Sequence, residues 1–160
     1  MACSWSCLAI ADDCNLKLQG FCAHTPNSVK FIKTETPSKS IAICDKYCLI
    51  LLENGKVCKI LNENPDRLEQ IVFQRNLKTI IPQKRNISGN FKCENALEIS
   101  HIACGNNIAV AISKTNEIFN GVTEIYKFPN HENLRQLVCG VEHALLLTAN
   151  GDIYAWGNGL

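Results

Sequence analysis

The fold is decided by the stretch from Arg135 to Gly157, which reads RQLVCGVEHALLLTANGDIYAWG. Two apolar runs, residues 144–147 and 153–156, lie on either side of Asn150-Gly151. Both residues of that pair accept the positive φ angles that a tight type I′ turn needs. The stretch therefore predicts a β-hairpin that turns at Asn150-Gly151.

Three further features surround this hairpin at close spacing. Cys139-Gly140 and His143 precede it, and Trp156-Gly157 closes it. In this order the residues from Val138 to Gly157 resemble the repeat of the regulator of chromosome condensation family. The resemblance implies an all-β fold, a β-propeller built of small antiparallel blades. Function does not follow from that fold alone, because propellers carry many unrelated activities.

The resemblance also implies structural roles for the residues of the pattern. The signature of the blade then consists of Cys139, Gly140, His143, Gly151, Trp156 and Gly157. We expect His143 to be a hydrogen-bonded histidine of the blade core and Trp156 to pack within the propeller. We expect Gly105 and Gly140 to allow close approach of the backbone, because a side chain there would block the contact.

Fainter copies of the pattern precede it, as a propeller requires. Asn54-Gly55 follows an apolar run and predicts a second hairpin. Asn116 stands at the glycine position of another copy, where asparagine tolerates left-handed backbone better than other side chains do. The weakest copy turns near Cys14. We place the degenerate repeats at about 2–20, 41–60 and 99–121, and the well-formed repeat at 135–160.

The length of the chain limits the number of blades. Its 160 residues, 46% hydrophobic and 19% charged, are enough to bury a core. At about 45 residues per blade they supply roughly three to four blades. We therefore expect a partial β-propeller, the N-terminal part of a longer domain whose ring has about seven blades.

The ten cysteines raise the alternatives of disulfides or a zinc site. The first eleven residues lack the basic segment of a signal peptide, so we expect a nuclear or cytosolic protein, not a secreted one, whose thiols stay reduced. The pairs Cys3/Cys7 and Cys44/Cys48 have no second pair at zinc-finger spacing. We therefore predict buried structural thiols and no metal site.

The sequence contains little evidence for catalysis or for nucleic-acid binding. The histidines are scattered, and no serine or cysteine stands beside one in a nucleophile motif. The chain has no Gly-rich phosphate loop. Its net charge is only +1, and the basic residues cluster only at Lys84-Arg85. We predict a protein that is not an enzyme and has no cofactor, no direct nucleic-acid partner and no membrane span.

Two polar stretches are predicted to connect the repeats. Residues 24–39 contain Thr25-Pro26 and Thr36-Pro37. The stretch is either a solvated connection between blades, or its two threonines are sites for a proline-directed kinase. Asn64-Pro65-Asp66 is predicted to be a turn or the start of a helix. After it, residues 69–73 and 77–81 are short apolar segments that could form outer strands.

The resemblance implies a protein partner for such a propeller. Within the family the chain most resembles a small member that consists of the propeller alone. This implies a non-enzymatic, chromatin-associated partner of a JmjC-type histone lysine demethylase that affects chromosome segregation. The alternative is a guanine nucleotide exchange factor for a Ran-type small GTPase. A third possibility is a regulatory propeller joined to a ubiquitin ligase or a kinase.

Overall fold

A computed structural model describes residues 2–3, 8–12, 14–19, 29–44, 46–61, 64–73, 97–121, 123–127 and 133–158. In these residues the regular structure consists of strands, which form four antiparallel sheets. The first sheet contains β1 (Ala2–Cys3), β2 (Leu8–Asp12), β3 (Asn15–Gln19) and β4 (Val29–Lys33). The second contains β5 (Ser38–Ile43), β6 (Tyr47–Leu52), β7 (Val57–Leu61) and β8 (Asn64–Ile71). The third contains β9 (Ile99–Cys104), β10 (Ala109–Ser113), β11 (Glu117–Asn120) and β12 (Thr123–Lys127), and the fourth β13 (Leu134–Cys139), β14 (His143–Thr148) and β15 (Ile153–Gly157).

Within each sheet the strands pair in the order in which the chain forms them. The first strands of successive sheets also contact one another: β1 contacts β5, β5 contacts β9, and β9 contacts β13. Sheets that meet along their first strands are arranged radially, as the blades of a propeller are. The predicted fold class, an all-β partial β-propeller, is confirmed.

The core fills the spaces between neighbouring sheets. The second sheet packs against the third through Leu51, Val57, Ile99, Ala111 and Phe119. Because the second sheet is covered on both faces, every residue of β6 after Tyr47 is buried, and the strand is an unbroken apolar run. In the fourth sheet β14 alternates instead between buried and exposed residues.

The space between the third and fourth sheets is filled by aliphatic side chains of both. The buried residues of this cluster are Ile108, Val110, Ile112, Ile118, Ala144 and Leu146. The opposite face of the fourth sheet exposes Val138, Leu145 and Ile153. Because only one face of the fourth sheet is covered, burial along β14 alternates with a period of two, although its sequence is an apolar run.

Three hairpins have the same loop geometry. In the second sheet the carbonyl of Leu52 accepts the N–H of Gly55 at 2.9 Å, and the N–H of Leu52 donates to the carbonyl of Lys56 at 2.9 Å. Ser113 and Thr148 begin the equivalent loops, and their carbonyls accept the N–H of the third loop residue in the same way. The hairpins predicted at Asn54-Gly55 and Asn150-Gly151 are thus confirmed.

The predicted turn type is wrong. A type I′ turn needs positive φ at both central residues, whereas in these loops the last residue alone is left-handed. Its φ is 79° at Gly55, 63° at Asn116 and 94° at Gly151. Three-residue loops of this kind combine an ordinary turn with one left-handed residue. The asparagine at 116 does take the place of the glycine, as predicted.

The connections differ from the prediction at two places. Asn64-Pro65-Asp66 is not a turn or a helix start, because β8 begins at Asn64. β8 is the last strand of its sheet, and an edge strand tolerates a proline that cannot donate a hydrogen bond. The hydroxyl of Thr36 is not exposed as a kinase site would require. Its Oγ1 is buried and has no hydrogen-bond partner. Thr25 and residues 77–81 lie outside the described residues.

Candidate functional site

The turns between the first and second strands of three sheets lie at one end of the propeller. Each is closed by the same hydrogen bond: Cys44 N to Tyr47 O at 3.0 Å, Gly105 N to Ile108 O at 2.7 Å, and Gly140 N to His143 O at 2.8 Å. We call this the Cys-Gly end. The opposite end carries the three-residue loops 53–55, 114–116 and 149–151, and we call it the hairpin end.

The glycines of the Cys-Gly end are required by close contacts. A Cβ added to Gly105 would lie 1.6 Å from the carbonyl oxygen of Gly140 in the next sheet. One added to Gly140 would lie 2.3 Å from Cε1 of His143. The backbones of the third and fourth sheets therefore meet here at a distance that a side chain would prevent.

His143 lies on the surface. It is the first residue of β14, opposite Gly157, and it is exposed. Its imidazole covers Gly140, because the glycine leaves room for the ring. The expectation of a core histidine is thus wrong, and the physical reason is that the ring stacks over the turn at the end of the sheet instead of pointing between the sheets.

The other residues of the repeat pattern are distributed over both ends of the fourth sheet. Gly157 has a φ of 106°, and a Cβ there would lie 2.2 Å from the carbonyl oxygen of Glu142. Trp156 packs on the aliphatic cluster between the third and fourth sheets, and its indole N–H is buried without an acceptor. Gly151 lies at the hairpin end with open space around it. The structure therefore does not bring the six pattern residues together into one site.

The turn at 140–142 is fixed by hydrogen bonds from both sides. The N–H of Asn107 donates to the carbonyl of Val141 at 3.0 Å, and its amide donates to Oε1 of Glu142 at 2.7 Å. The N–H of Asn158 donates to the carbonyl of Glu142 at 2.9 Å. Between these anchors the side chain of Val141 is 60% exposed. The turn thus presents an apolar side chain on a backbone that is fixed by hydrogen bonds. No pattern in the sequence predicted that Val141 is exposed here.

Three cysteines lie at the Cys-Gly end: Cys44 follows β5, Cys104 ends β9 and Cys139 ends β13. The Cys44 thiol donates to the carbonyl of Tyr47 at 3.5 Å. The influence of the Cys104 thiol of the next sheet, followed by the hydrogen bonds of its own turn, lowers the pKa of Cys44 from 9.0 to about 6. The Cys44 thiol, together with burial, raises the pKa of Cys104. Burial raises the pKa of Cys139 to about 12. Of the described cysteines, Cys14, Cys44, Cys58, Cys104 and Cys139 form no disulfide.

Tyr47 ties the second sheet to the third beside these thiols. Its hydroxyl donates to the carbonyl of Ile108 at 3.3 Å, and the Lys59 ammonium lies 4.9 Å from the centre of its ring. Burial raises the pKa of Tyr47, so the hydroxyl stays a donor at neutral pH.

One serine and one histidine do lie together. Nδ1 of His101 is 3.0 Å from Oγ of Ser100, but that oxygen is also 3.0 Å from the carbonyl of Ile112. Burial, and then the charge of Lys39, lower the pKa of His101. The Ser100 hydroxyl donates to the backbone of β10. We therefore interpret it as a structural group and not as a nucleophile.

The described residues contain no cluster of three or more His, Cys, Asp or Glu side chains that could hold a metal ion. They also contain no helix that is long and apolar enough to cross a membrane.

Residues 134–159 match the model of the regulator of chromosome condensation repeat. This part of the chain is therefore similar to a regulator of chromosome condensation repeat. The matched segment covers the fourth sheet, with its Cys-Gly turn, its hairpin and its closing Trp-Gly.

Solved structures share the fold at low sequence identity. Human WBSCR16 is 12% identical, with a TM-score of 0.67 over 97% of this chain and 46% of that one. Prp20p from Saccharomyces cerevisiae, described with its binding to Gsp1p and histones, is 12% identical, with a TM-score of 0.53 over 89% of this chain and 41% of that one. The computationally designed Ika4 protein is 12% identical, with a TM-score of 0.57 over 99% of this chain and 89% of that one. The chain thus spans less than half the length of the two natural propellers.

Proposed function

We propose that the chain is part of a non-enzymatic propeller that binds another protein through its Cys-Gly end. The observation that carries the proposal is Val141, a largely exposed apolar side chain on a turn that is hydrogen-bonded on both sides. Rigid loops on a rigid scaffold bind with little loss of conformational entropy. In this proposal Cys139, Gly140, His143, Gly151, Trp156 and Gly157 build the blade, and neither a metal nor a cofactor takes part.

The chemistry of the turn suits a protein surface. Val141 is flanked by the carboxylate of Glu142 and the imidazole of His143, both exposed. A central apolar contact with polar groups around it is the usual anatomy of a protein interface. The near-neutral charge of the chain favours a protein over nucleic acid as the partner.

For the partner we propose a JmjC-type histone lysine demethylase, with a nuclear or cytosolic location and a role in chromosome segregation. The support is the resemblance of the repeat to a small family member made of the propeller alone. The alternative is nucleotide exchange on a Ran-type GTPase, for which the support is the shared fold with Prp20p and its binding to Gsp1p.

A binding experiment with the full chain tests the proposal. The chain is immobilised and offered a purified JmjC-type demethylase, and in parallel a Ran-type GTPase loaded with fluorescent nucleotide. We expect the demethylase to bind, and Val141→Glu to weaken it at least about tenfold, because a carboxylate replaces the apolar centre of the contact.

Ala149→Glu is the matched control. Ala149 is exposed in a loop of the hairpin end, so the substitution adds the same charge at the opposite end of the propeller. If both variants weakened binding equally, the Cys-Gly end would not be the docking site. Faster nucleotide release from the GTPase, with no binding of the demethylase, would replace the proposed partner by the alternative. Binding of neither protein would overturn the proposal.

A further inference from the structure

The third sheet has a small residue at a strand position that is large in the sheets on either side of it. Two residues before the equivalent hairpin loops begin, the second, third and fourth sheets carry Ile50, Ala111 and Leu146. Ile50 lies in the core that the second sheet shares with Ile32 of the first. Leu146 lies in the core between the third and fourth sheets. At the same position the third sheet offers the second sheet only a methyl group.

A second position of the repeat shows the same difference. Five residues after the left-handed residue of each loop stand Ile60, Gly121 and Trp156. Ile60 and Trp156 both pack in the cores between sheets. Gly121 has no side chain, and nothing lies within 4 Å of a Cβ added to it. The third sheet therefore lacks two large side chains on the face that it turns toward the second sheet.

A cavity of about 200 Å³ lies between the second and third sheets at this place. Ala111 and Gly121 line it from the third sheet, and Leu49 and Val57 line it from the second. For comparison, an apolar cavity of about 150 Å³ is large enough to bind benzene. Gly121 is exposed, so the cavity reaches the surface of the protein there.

Aromatic rings form part of the cavity wall. Tyr47 and Phe73 line it, and the ring of Phe73 packs on that of Phe119 with the centroids 5.1 Å apart and the planes inclined at 60°. Aromatic rings attract one another in such tilted or offset arrangements. The wall therefore favours a ligand that itself contains an aromatic ring.

One charged side chain, Lys59, also lines the cavity. Its ammonium lies 4.9 Å from the centre of the Tyr47 ring. Glu69, its neighbour across β8, forms an ion pair with Arg67 at 2.9 Å instead. Among the residues that the structure describes, no ion pair includes Lys59. A carboxylate bound in the cavity would supply the opposite charge through a charge-assisted hydrogen bond.

We propose that the cavity between the second and third sheets binds a small aromatic carboxylate. The ring of the ligand occupies the space beside Ala111 and Gly121, and the Lys59 ammonium donates a hydrogen bond to its carboxylate. A molecule of one ring and a short acidic chain, such as 3-phenylpropionate, combines the required size and charge. The site is separate from Val141, so it does not depend on the proposed protein partner.

Isothermal titration calorimetry of the full chain with 3-phenylpropionate and with its neutral amide, 3-phenylpropanamide, tests the proposal. We expect the wild type to bind the carboxylate at least about tenfold more tightly than the amide. Lys59→Gln should bind the two ligands equally. Lys33→Gln is the matched control, because Lys33 is exposed at the end of β4 in the first sheet, and it should keep the wild-type preference. Ala111→Leu, which introduces the side chain of Leu146 at the equivalent position, should bind neither ligand.

Several results would overturn the proposal. These are equal affinity of the wild type for carboxylate and amide, no binding of either, an unchanged preference in Lys59→Gln, or undiminished binding by Ala111→Leu. Nuclear Overhauser effects in the wild type decide the location even if Ala111→Leu fails to fold. We expect them between the ring protons of 3-phenylpropionate and the methyl group of Ala111, and contacts to Val141 in their place would contradict the site.

Discussion

The carbonyl oxygen of Gly140 lies against the α-carbon of Gly105, so that a methyl group on Gly105 would be 1.6 Å from that oxygen. Gly105 does not have a positive φ, so the contact alone demands glycine. The backbones of the third and fourth sheets therefore meet where their first strands end. This contact links the turn of one blade directly to the turn of the next.

Gly105→Ala should separate these two sheets. We expect a loss of about 3 kcal/mol in the free energy of unfolding, because backbone, not a flexible side chain, occupies the space of the methyl group. Urea unfolding followed by circular dichroism measures the loss. A variant as stable as the wild type would show that the two turns can move apart at little cost.

Gly151→Ala should be destabilising for a different reason. Nothing lies within 4 Å of an added Cβ, but the φ of 94° is unfavourable for any side chain. We expect a loss of about 1–2 kcal/mol in the free energy of unfolding. Gly151→Asn should lose less, because Asn116 adopts the same conformation in the equivalent loop. Equal losses for alanine and asparagine would contradict this explanation.

The sequence predicted the hairpins because their signal is local. Asn54-Gly55 and Asn150-Gly151 each stand between apolar runs, and the alignment of the copies also placed Asn116 correctly. The turn type could not be predicted in the same way. Asparagine accepts either sign of φ, and the length of the loop, three residues instead of two, decides which residue is left-handed.

The sequence did not predict the contacts between sheets. Cys44-x-x-Tyr47 has the spacing of Gly140-x-x-His143, so an alignment of the turns could have placed Cys44 at the glycine position. The influence of Cys104 on its pKa depends on how two sheets pack, and no local pattern contains that information. For the same reason the sequence did not show that His143 lies outside the core or that the hydroxyl of Thr36 is buried.

Glu117 is expected to stabilise the loop that lacks a glycine. Its buried carboxylate accepts hydrogen bonds from Ser113 Oγ at 3.0 Å and Thr115 Oγ1 at 2.9 Å, and lies 3.5 Å from the Lys127 ammonium. Glu117→Leu should lower the free energy of unfolding by about 2 kcal/mol, because two hydroxyls lose their acceptor. Glu117→Gln keeps one acceptor oxygen and should lose less. Thermal and urea unfolding of both variants compare the two losses, and a fully stable Glu117→Leu would show that water replaces the carboxylate.

The thiols of Cys44 and Cys104 should also make stability depend on pH. The pKa of Cys44 is about 6 in the folded chain and 9.0 in its ordinary state. Between these values the unfolded chain binds one proton more than the folded chain at this site, so the free energy of unfolding rises with pH. Above pH 9 the raised pKa of Cys104 acts in the opposite direction, since the unfolded chain then loses a proton that the folded chain keeps.

Urea unfolding of the reduced wild type and of Cys44→Ser at pH 5.5, 7 and 8.5 isolates this effect. The stability advantage of the wild type should be smallest at pH 5.5 and should increase at each step, because the stabilisation from the Cys44 thiolate is lost as the pH falls through about 6. Cys58→Ser, compared with the wild type in the same way, should show no such increase, because the pKa of Cys58 is raised. A constant difference between wild type and Cys44→Ser across the three pH values would mean that Cys44 is protonated in the folded chain, and that Cys104 does not stabilise a thiolate there.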